Sequence, residues 1–443
     1  MSRVSTEHKS SIEALCISCM GDNLIPVQKD GTPNYNCIFS FDNRSTEEVQ
    51  IVRDAIGEKT YFETTGSPLT TTANLCKILW LRRHEPEVFR STWKLMTFAD
   101  YTLLRMGFPP QIDYSMASRN IFDIRKRKYP DSILKEFGLT NTLFSDPVPS
   151  AHIVGEITSN ICNQLRLSKG VKVIAGGVDL AFGVLGVGVS TSTPKTAANI
   201  AGTFEHAAYI SKVPITNRTA LKHSVISCCN VIEGSYLVFR GLFTAGAAIK
   251  WFREEFALEE RITAEKEGKN VYDIMLEPLE FNGGNIFVLP YFAGSWTDSS
   301  VSASILGLTL STKRENILAG ILEGITHELR SNIEILESLI NSRLDRLRAG
   351  GGLTKSKKFL QLKADISGRV VELVSIKEAS ALGAALLAGV ATGVYNSVED
   401  AIGNIVEVTD YSHPRDEFAE IYNAEHNTYK ELVRILHALP TKQ

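Results

Sequence analysis

Val171-Lys172-Val173-Ile174-Ala175-Gly176-Gly177-Val178-Asp179 reads as a buried strand, Val171 to Ala175, then glycines, then a carboxylate. Ligands of open α/β sheets bind at the carboxyl ends of strands. Asp179 stands at such an end, where glycines let a ligand approach the backbone. A carboxylate there can act as a general base or hold a metal. It can equally serve as a helix N-cap, and position alone leaves the two open. The surrounding apolar stretch, Val173 to Val189, carries Gly176, Gly177, Asp179, Gly183, Gly186 and Gly188. That much glycine around a charge excludes a bilayer helix.

Upstream, Ile12 to Ser18 reads as a short buried strand, and Gln28 to Pro33 as a turn before a second one. From Thr70 the pattern turns helical, with Leu75, Ile78, Leu79, Trp80 and Leu81 on one side before Pro86. Downstream the texture changes to short β-rich segments: Thr196 to Ile200, Ala207 to Ile210 and Ser224 to Ile232. A long amphipathic helix is expected from Lys313 to Ile340. Ile317, Ile321, Ile325, Leu329, Ile333, Leu336 and Ile340 recur along one face. Strands alternating with helices in two blocks predict an α/β protein of two layered domains with a cleft between them. The domain boundary is placed between Gly186 and Thr193, giving domains 1–186 and 187–443.

The 443-residue length favours two domains, and 44% hydrophobic with 22% charged residues is a soluble globular composition. A net charge of −3 with scattered Lys and Arg gives no reason to expect nucleic acid. The run Arg125-Lys126-Arg127-Lys128 is better read as a solvated loop or helix end than as a phosphate-backbone site. Seven cysteines without regular spacing, and a polar Met1 to Ser10 without an apolar signal core, favour the reducing cytoplasm. Cys16 and Cys19 form a C-x-x-C inside an apolar run, which reads as strand cysteines rather than a metal or redox pair.

Two turns suit phosphate. Ala201-Gly202-Thr203-Phe204 follows the strand Thr196 to Ile200, and a Gly-Thr turn offers N–H groups and a hydroxyl. Gly350-Gly351-Gly352-Leu353-Thr354-Lys355-Ser356 follows a short strand, Leu347 to Ala349, and precedes a helical stretch, Lys357 to Ile366. Its backbone can pass close to a nucleotide. Glu378 followed by Ala379-Ser380-Ala381-Leu382-Gly383-Ala384-Ala385 makes a helix with a nearly bare face, and close helix packing explains it better than ligand contact. No Walker A, G-x-G-x-x-G or H-E-x-x-H occurs.

These pieces, in this order, resemble the FGGY carbohydrate kinases over nearly the whole chain. Asp42-Asn43-Arg44 resembles the family's D-x-R, with Phe41 in place of the usual Trp. Thr65 to Leu69, Trp80-Leu81, Asp100-Tyr101 and Asp113 to Ser118 match the helical part of the first domain. Gly177-Val178-Asp179 falls at the family's catalytic aspartate, and Gly202-Thr203 at its phosphate-binding Gly-Thr. Gly246 to Trp251, Ala303 to Glu323, Gly350 to Asp365 and Glu378 with Gly383-Ala384-Ala385 match later motifs in register.

The resemblance implies an actin/hexokinase-like (ribonuclease H-like) two-domain ATPase fold. It also implies phosphoryl transfer from ATP, with Mg²⁺, to a hydroxyl of a sugar (ketose or pentulose-like) or polyol. By it Asp179 is the base; Gly202, Thr203, Gly246, Gly351, Gly352 and Ser356 contact the nucleotide; and Asp42 and Arg44 join Asp179 at the acceptor. No residue is assigned to the metal. Gly202-Thr203-Phe204 and Trp251-Phe252-Arg253 are similar to the branch acting on pentuloses and a quorum-sensing autoinducer sugar. A homodimer is implied, with no membrane partner.

The family opens with a strand and a D-x-G-T turn, and nothing before Ser11 matches it, so the first domain is expected to be incomplete. A misplaced or cut start is the favoured account. A partner chain supplying the strands is another. The third is a non-catalytic pseudokinase that senses nucleotide or sugar, or acts as a scaffold.

Overall fold

The computed structural model describes residues 11–281, 283–284, 286–376 and 378–439. The segment Met1 to Ser10, with the expectations attached to it, lies outside the described residues. In the first part of the chain, β1 is Ala14–Cys19, α1 Asn74–His84, β2 Ile153–Glu156, β3 Lys172–Val178 and α2 Asp179–Gly186. Next come β4 (Thr196–Ala201), β5 (Glu205–Ser211), β6 (Ile226–Cys229), β7 (Tyr236–Leu242), α3 (Ala245–Phe256) and α4 (Val271–Leu276). The long helix α5 covers Arg314–Ile340, and β8 covers Arg346–Gly350. The chain ends with α6 (Lys357–Ser367), β9 (Val370–Val374), α7 (Ala379–Ala391), β10 (Val408–Ser412) and α8 (Asp416–Ala438). The segments read from periodicity are present with ends displaced by a few residues, except the strand expected after the Gln28–Pro33 turn, where only an isolated bridge of Ile38 to Leu24 forms.

Two compact units divide the chain. The first takes Met1–Ser192, Ile210–Val238 and Glu378–Val406, and the second Thr193–Tyr209, Phe239–Lys377 and Glu407–Gln443. Two segments beyond residue 187 therefore pack with the first unit rather than with the sequence around them. Among the described residues no helix is long and apolar enough to cross a membrane.

In the first unit β1 pairs parallel with β3, from Ala14 opposite Lys172 to Cys19 opposite Val178, and β2 closes the other edge antiparallel. The register slips between Cys16 and Ser18. Gly176 sits at this slip with φ +91°, and a Cβ there would lie 2.1 Å from the Ile17 carbonyl oxygen. Only glycine fits that approach and that dihedral. Cys16 and Cys19 lie on β1, where burial pushes each thiol up to about 12, the behaviour of inert strand cysteines.

Helix α2 leaves the end of β3 and packs on α7 backbone to backbone. A Cβ on Gly186 would stand 1.8 Å from the Ala379 carbonyl oxygen, and one on Gly383 2.0 Å from that of Phe182. The bare face at Ala379–Ala385 is thus a helix-packing surface.

The second unit is built on the order β7-β5-β4-β8-β9-β10. Strands β4, β8 and β9 run parallel, so their carboxyl ends share one side, and β10 is antiparallel to β9. Helix α5 supplies the core expected of it: Ile321, Ile325, Leu329, Ile333 and Leu336 are buried. Ile249 and Phe252 of α3, Phe359 and Leu362 of α6, and Tyr422 and Tyr429 of α8 share one cluster with Ile321 and Ile325. A fully buried pair, Lys363 of α6 with Glu205 of β5, is completed by Asn199 of β4, whose Oδ1 accepts from Nζ at 2.7 Å. Removing one partner of such a pair costs about 3–5 kcal/mol, because the other charge is left buried alone.

Candidate active site and nucleotide cavity

Asp179 is the first residue of α2, and Val178 is the capping residue, so the aspartate is not the N-cap that sequence position left open. Its Oδ1 accepts from the Leu180 amide at 2.8 Å; among the described residues its other oxygen has no partner. Its main-chain oxygen accepts from the Ser380 hydroxyl at 2.9 Å. The side chain reaches solvent, yet protein surrounds it closely enough to raise the carboxyl above its ordinary value. Loss of hydration is the main cause, and the neighbouring charge of Asp22 adds to it.

What precedes Asp179 is fixed from below. Ser115 Oγ accepts from the Val178 amide at 3.0 Å. Ser115 is in turn held by Asp113, a buried carboxylate that accepts from the Ser115 and Met116 amides at 2.7 and 3.1 Å and from Ser150 Oγ at 2.6 Å. A Cβ on Gly177 would fall 2.7 Å from Ser115 Oγ, so the glycine is what lets the support approach. The Asp113–Ser118 motif is therefore a bracket for the strand end that carries the carboxylate.

Beside Asp179 lies a polar group that sequence reading did not single out. Asp22 follows β1 in a left-handed conformation, φ +59°. Its Oδ2 accepts from Arg119 Nη2 at 2.8 Å and Nε at 3.2 Å, while Arg119 Nη1 donates to Ser67 Oγ at 3.1 Å. Lys77 of α1 donates to the main-chain oxygens of Asp22 at 2.6 Å and Phe39 at 2.9 Å, and burial lowers its ammonium to about 8. Parallel pairing of β1 with β3 was the available signal, since it brings the residues after Cys19 beside those after Val178.

Asp42 and Arg44 are brought to each other rather than to Asp179's immediate partners. Arg44 donates to Asp42 Oδ1 at 2.8 Å and Oδ2 at 2.7 Å, and this fork holds the carboxyl below its ordinary value. The guanidinium lies 4.6 Å over the Trp80 ring, itself stacked on His84 at 4.8 Å.

The second unit carries a cavity of about 800 Å³ whose lining includes Gly202, Thr203, Gly246, Gly352 and Ser356. The Gly202 amide closes the turn on the Phe204 carbonyl at 2.8 Å, and the Gly202 carbonyl accepts from Gly246 at 3.1 Å. That leaves the amide and hydroxyl of Thr203 free of partners among the described residues. Gly351, at φ +103°, brings its Cα against β4: a Cβ would sit 2.1 Å from the Ala201 carbonyl oxygen. Ser356 Oγ caps α6 by accepting from Phe359 at 3.3 Å, so its hydroxyl already has a structural task. Trp251 of α3 and Tyr272 of α4 also line it, with Arg253 Nη1 donating to the Tyr272 hydroxyl at 2.9 Å. A lining that combines bare backbone with aromatic surface, and this volume, suit a nucleotide. No group of three His, Cys, Asp or Glu converges as a metal site among the described residues. A Mg²⁺ that keeps its waters and rides on phosphates needs no such cage.

The N-terminal domain model of the FGGY family of carbohydrate kinases matches residues 1–186, and the C-terminal domain model residues 197–392. The chain belongs to the FGGY family of carbohydrate kinases. As a member of that family it is an ATP-dependent sugar kinase, a phosphotransferase with an alcohol acceptor. It is 25% identical over 434 residues to a xylulose kinase of Lactococcus lactis subsp. lactis, covering 94% of this chain and 82% of that one. It is 25% identical over 429 residues to an autoinducer-2 kinase of Photorhabdus laumondii subsp. laumondii, covering 93% and 79%. Ligand-bound xylulose kinase from Lactobacillus acidophilus shares the fold with a TM-score of 0.85 at 21% identity, covering 98% of this chain and 86% of that one. The two-domain α/β architecture expected from the FGGY motifs is thus the family's own.

Proposed function

We propose that this chain transfers the γ-phosphoryl group of ATP to a hydroxyl of a ketose of the pentulose kind, or of a related polyol, with Asp179 as general base. The observation that carries the reading is the Asp179 carboxylate. It stands at the carboxyl end of β3, one oxygen fixed by the Leu180 amide and the other unpartnered among the described residues, and its affinity for protons is raised. The unpartnered oxygen accepts the acceptor's hydroxyl proton as the oxygen attacks phosphorus, and ADP departs. Asp22 with Arg119 offers an acceptor and donors to neighbouring hydroxyls, and Asp42 with Arg44 a rigid polar edge farther from the chemistry.

The Thr203 amide and hydroxyl receive the phosphate end of the nucleotide, Gly351 and Gly352 let it lie close to the backbone, and Trp251 and Tyr272 flank the base. Mg²⁺ bound with ATP supplies charge neutralisation on the phosphates. The relatives named above support a pentulose or autoinducer sugar as acceptor. No observation favours the non-catalytic reading.

The test is ATP consumption by the purified chain with Mg²⁺ against pentuloses, pentoses, the autoinducer sugar and polyols. Acceptor-dependent turnover that disappears in Asp179→Asn is expected. Turnover that survives this substitution unchanged would sink the role given to Asp179.

A further inference from the structure

The second unit buries two carboxyls that face each other without a counter-ion. Glu323 of α5 and Glu425 of α8 line one small cavity of about 10 Å³, together with Gly284, His327 and Tyr429. That is room for one water at most, so neither group keeps a hydration shell. Glu323 is 7% exposed and makes no hydrogen bond or ion pair among the described residues. Glu425 has one donor, the Gly284 amide.

The imidazole beside them adds a third acceptor. His426 Nε2 lies 3.2 Å from Glu334 Oε2 and donates to it, and His426 Nδ1 lies 3.3 Å from His327 Nδ1. Burial lowers both imidazoles, His327 to about 3, so both are neutral at neutral pH. A neutral His426 that donates through Nε2 accepts at Nδ1, which puts the His327 proton on Nδ1. The bare Nε2 of His327 is then turned to Glu425 Oε2, 3.9 Å away.

The charges packed around this cavity are engaged elsewhere. On α5, Arg330 donates to Glu334, Asn423 and the Ile366 carbonyl, and Lys430 of α8 lies 3.4 Å from Glu334. From α6, Asp365 is paired with Arg415 and Lys363 with Glu205. Lys250, Glu254 and Glu255 of α3 line the nucleotide cavity instead. The Tyr429 hydroxyl donates to Glu328 at 3.2 Å, and the buried Tyr422 hydroxyl has no partner. The strand Phe287–Leu289 brings no ionisable side chain. Two anions here would repel each other and face an imidazole lone pair, and a proton held between them removes that repulsion.

We infer that Glu323 and Glu425 share a proton that latches α8 onto α5, and that losing it at alkaline pH loosens α8. The sign follows from linkage. Loss of hydration, then the charge of Glu425, raises Glu323 to about 8, and loss of hydration raises Glu425 to about 7. The folded chain thus keeps protons that the unfolded chain has released. The stability from this pair is complete below the ordinary glutamate range and is lost as pH rises through about 7 to 8.

Hydrogen exchange of the full chain, corrected for the intrinsic pH dependence of amides, reads the latch locally. Between about pH 6 and about pH 8.5 the amides of α8 should exchange at least about tenfold faster, while those of α1 stay level. Glu323→Gln and Glu425→Gln keep the shape of each side chain without its charge. Each should flatten the rise at α8 and, at the alkaline end, melt a few degrees above the parent. Level exchange of α8 in the parent overturns the inference, whether or not the variants fold. Equal rises in α8 and α1 overturn it too, as does a folded variant whose α8 responds to pH as steeply as the parent's.

Discussion

At the carboxyl end of β3 the first unit presents a side chain; at the carboxyl ends of β4 and β8 the second unit presents bare backbone. Both ends are glycine-rich, and the glycines do different things. Beside Asp179, Gly177 makes room for a bracket, Ser115 on Asp113, that fixes the residue before the carboxylate. At Gly351 the glycine is itself the surface, pressed on the Ala201 carbonyl so that nothing projects. One end needs a particular ionisable group, and the other needs the absence of any group. Substitutions should therefore fail in different ways: an isosteric loss of charge at Asp179 disables the first end, and a Cβ added at Gly351 disables the second.

The largest expected effect is chemical. Asp179→Asn keeps the shape of the first site and removes its base, so kcat should fall by about 10³-fold, with ATP affinity unchanged. Gly351→Val keeps every ionisable group and fills the backbone approach. With φ at +103° and 2.1 Å to the Ala201 oxygen, about 3 kcal/mol of strain should appear as lost nucleotide affinity, lower thermal stability or both. The control for strain is Gly202→Ala, where an added Cβ meets no protein atom within 4 Å; its thermal midpoint should stay near the parent's. If both glycine variants behave alike, the contrast between the two ends is broken.

Smaller effects sharpen the contrast. Ser115→Ala leaves the Val178 amide without its acceptor, at a cost of about 1–2 kcal/mol. It should lower kcat modestly and spare nucleotide binding; a loss confined to the affinity for ATP would contradict the bracket. The smallest effect is on pH. A base must be deprotonated to work, and Asp179 has its carboxyl raised, so kcat/KM should fall toward acid above the range of an ordinary aspartate. Asp22 contributes negative charge to that shift, so Asp22→Asn should move the acid limb to lower pH. A limb that moves upward would mean Asp22 acts on Asp179 through something other than charge.

Much of this was legible because it is local. A strand running into glycines and a carboxylate, a glycine triplet before a helix, and an apolar stripe along α5 are each written within a few turns of chain. The paired positions are not. Asp22 and Arg119 lie 97 residues apart, and neither stands in a glycine-rich or periodic context that draws notice. Ser380 and Asp179 are 201 residues apart, and only the bare face of α7 hinted that another helix must come close. Asp42 and Arg44 were legible as a motif, but their mutual fork and the Trp80 ring beneath them depend on packing that spacing does not encode.

Helix α7 lies in the segment Glu378–Val406, which the first unit takes back after the chain has built most of the second. During synthesis, then, α2 and β1 must wait with their glycine and apolar faces uncovered until the ribosome has passed residue 406 of 443. A nascent chain stalled or cleaved before Glu378 would hold the Asp179 carboxylate on a helix whose α7-facing side is bare. Such a fragment is a natural client for a holdase chaperone, however complete its own sequence of strands and helices.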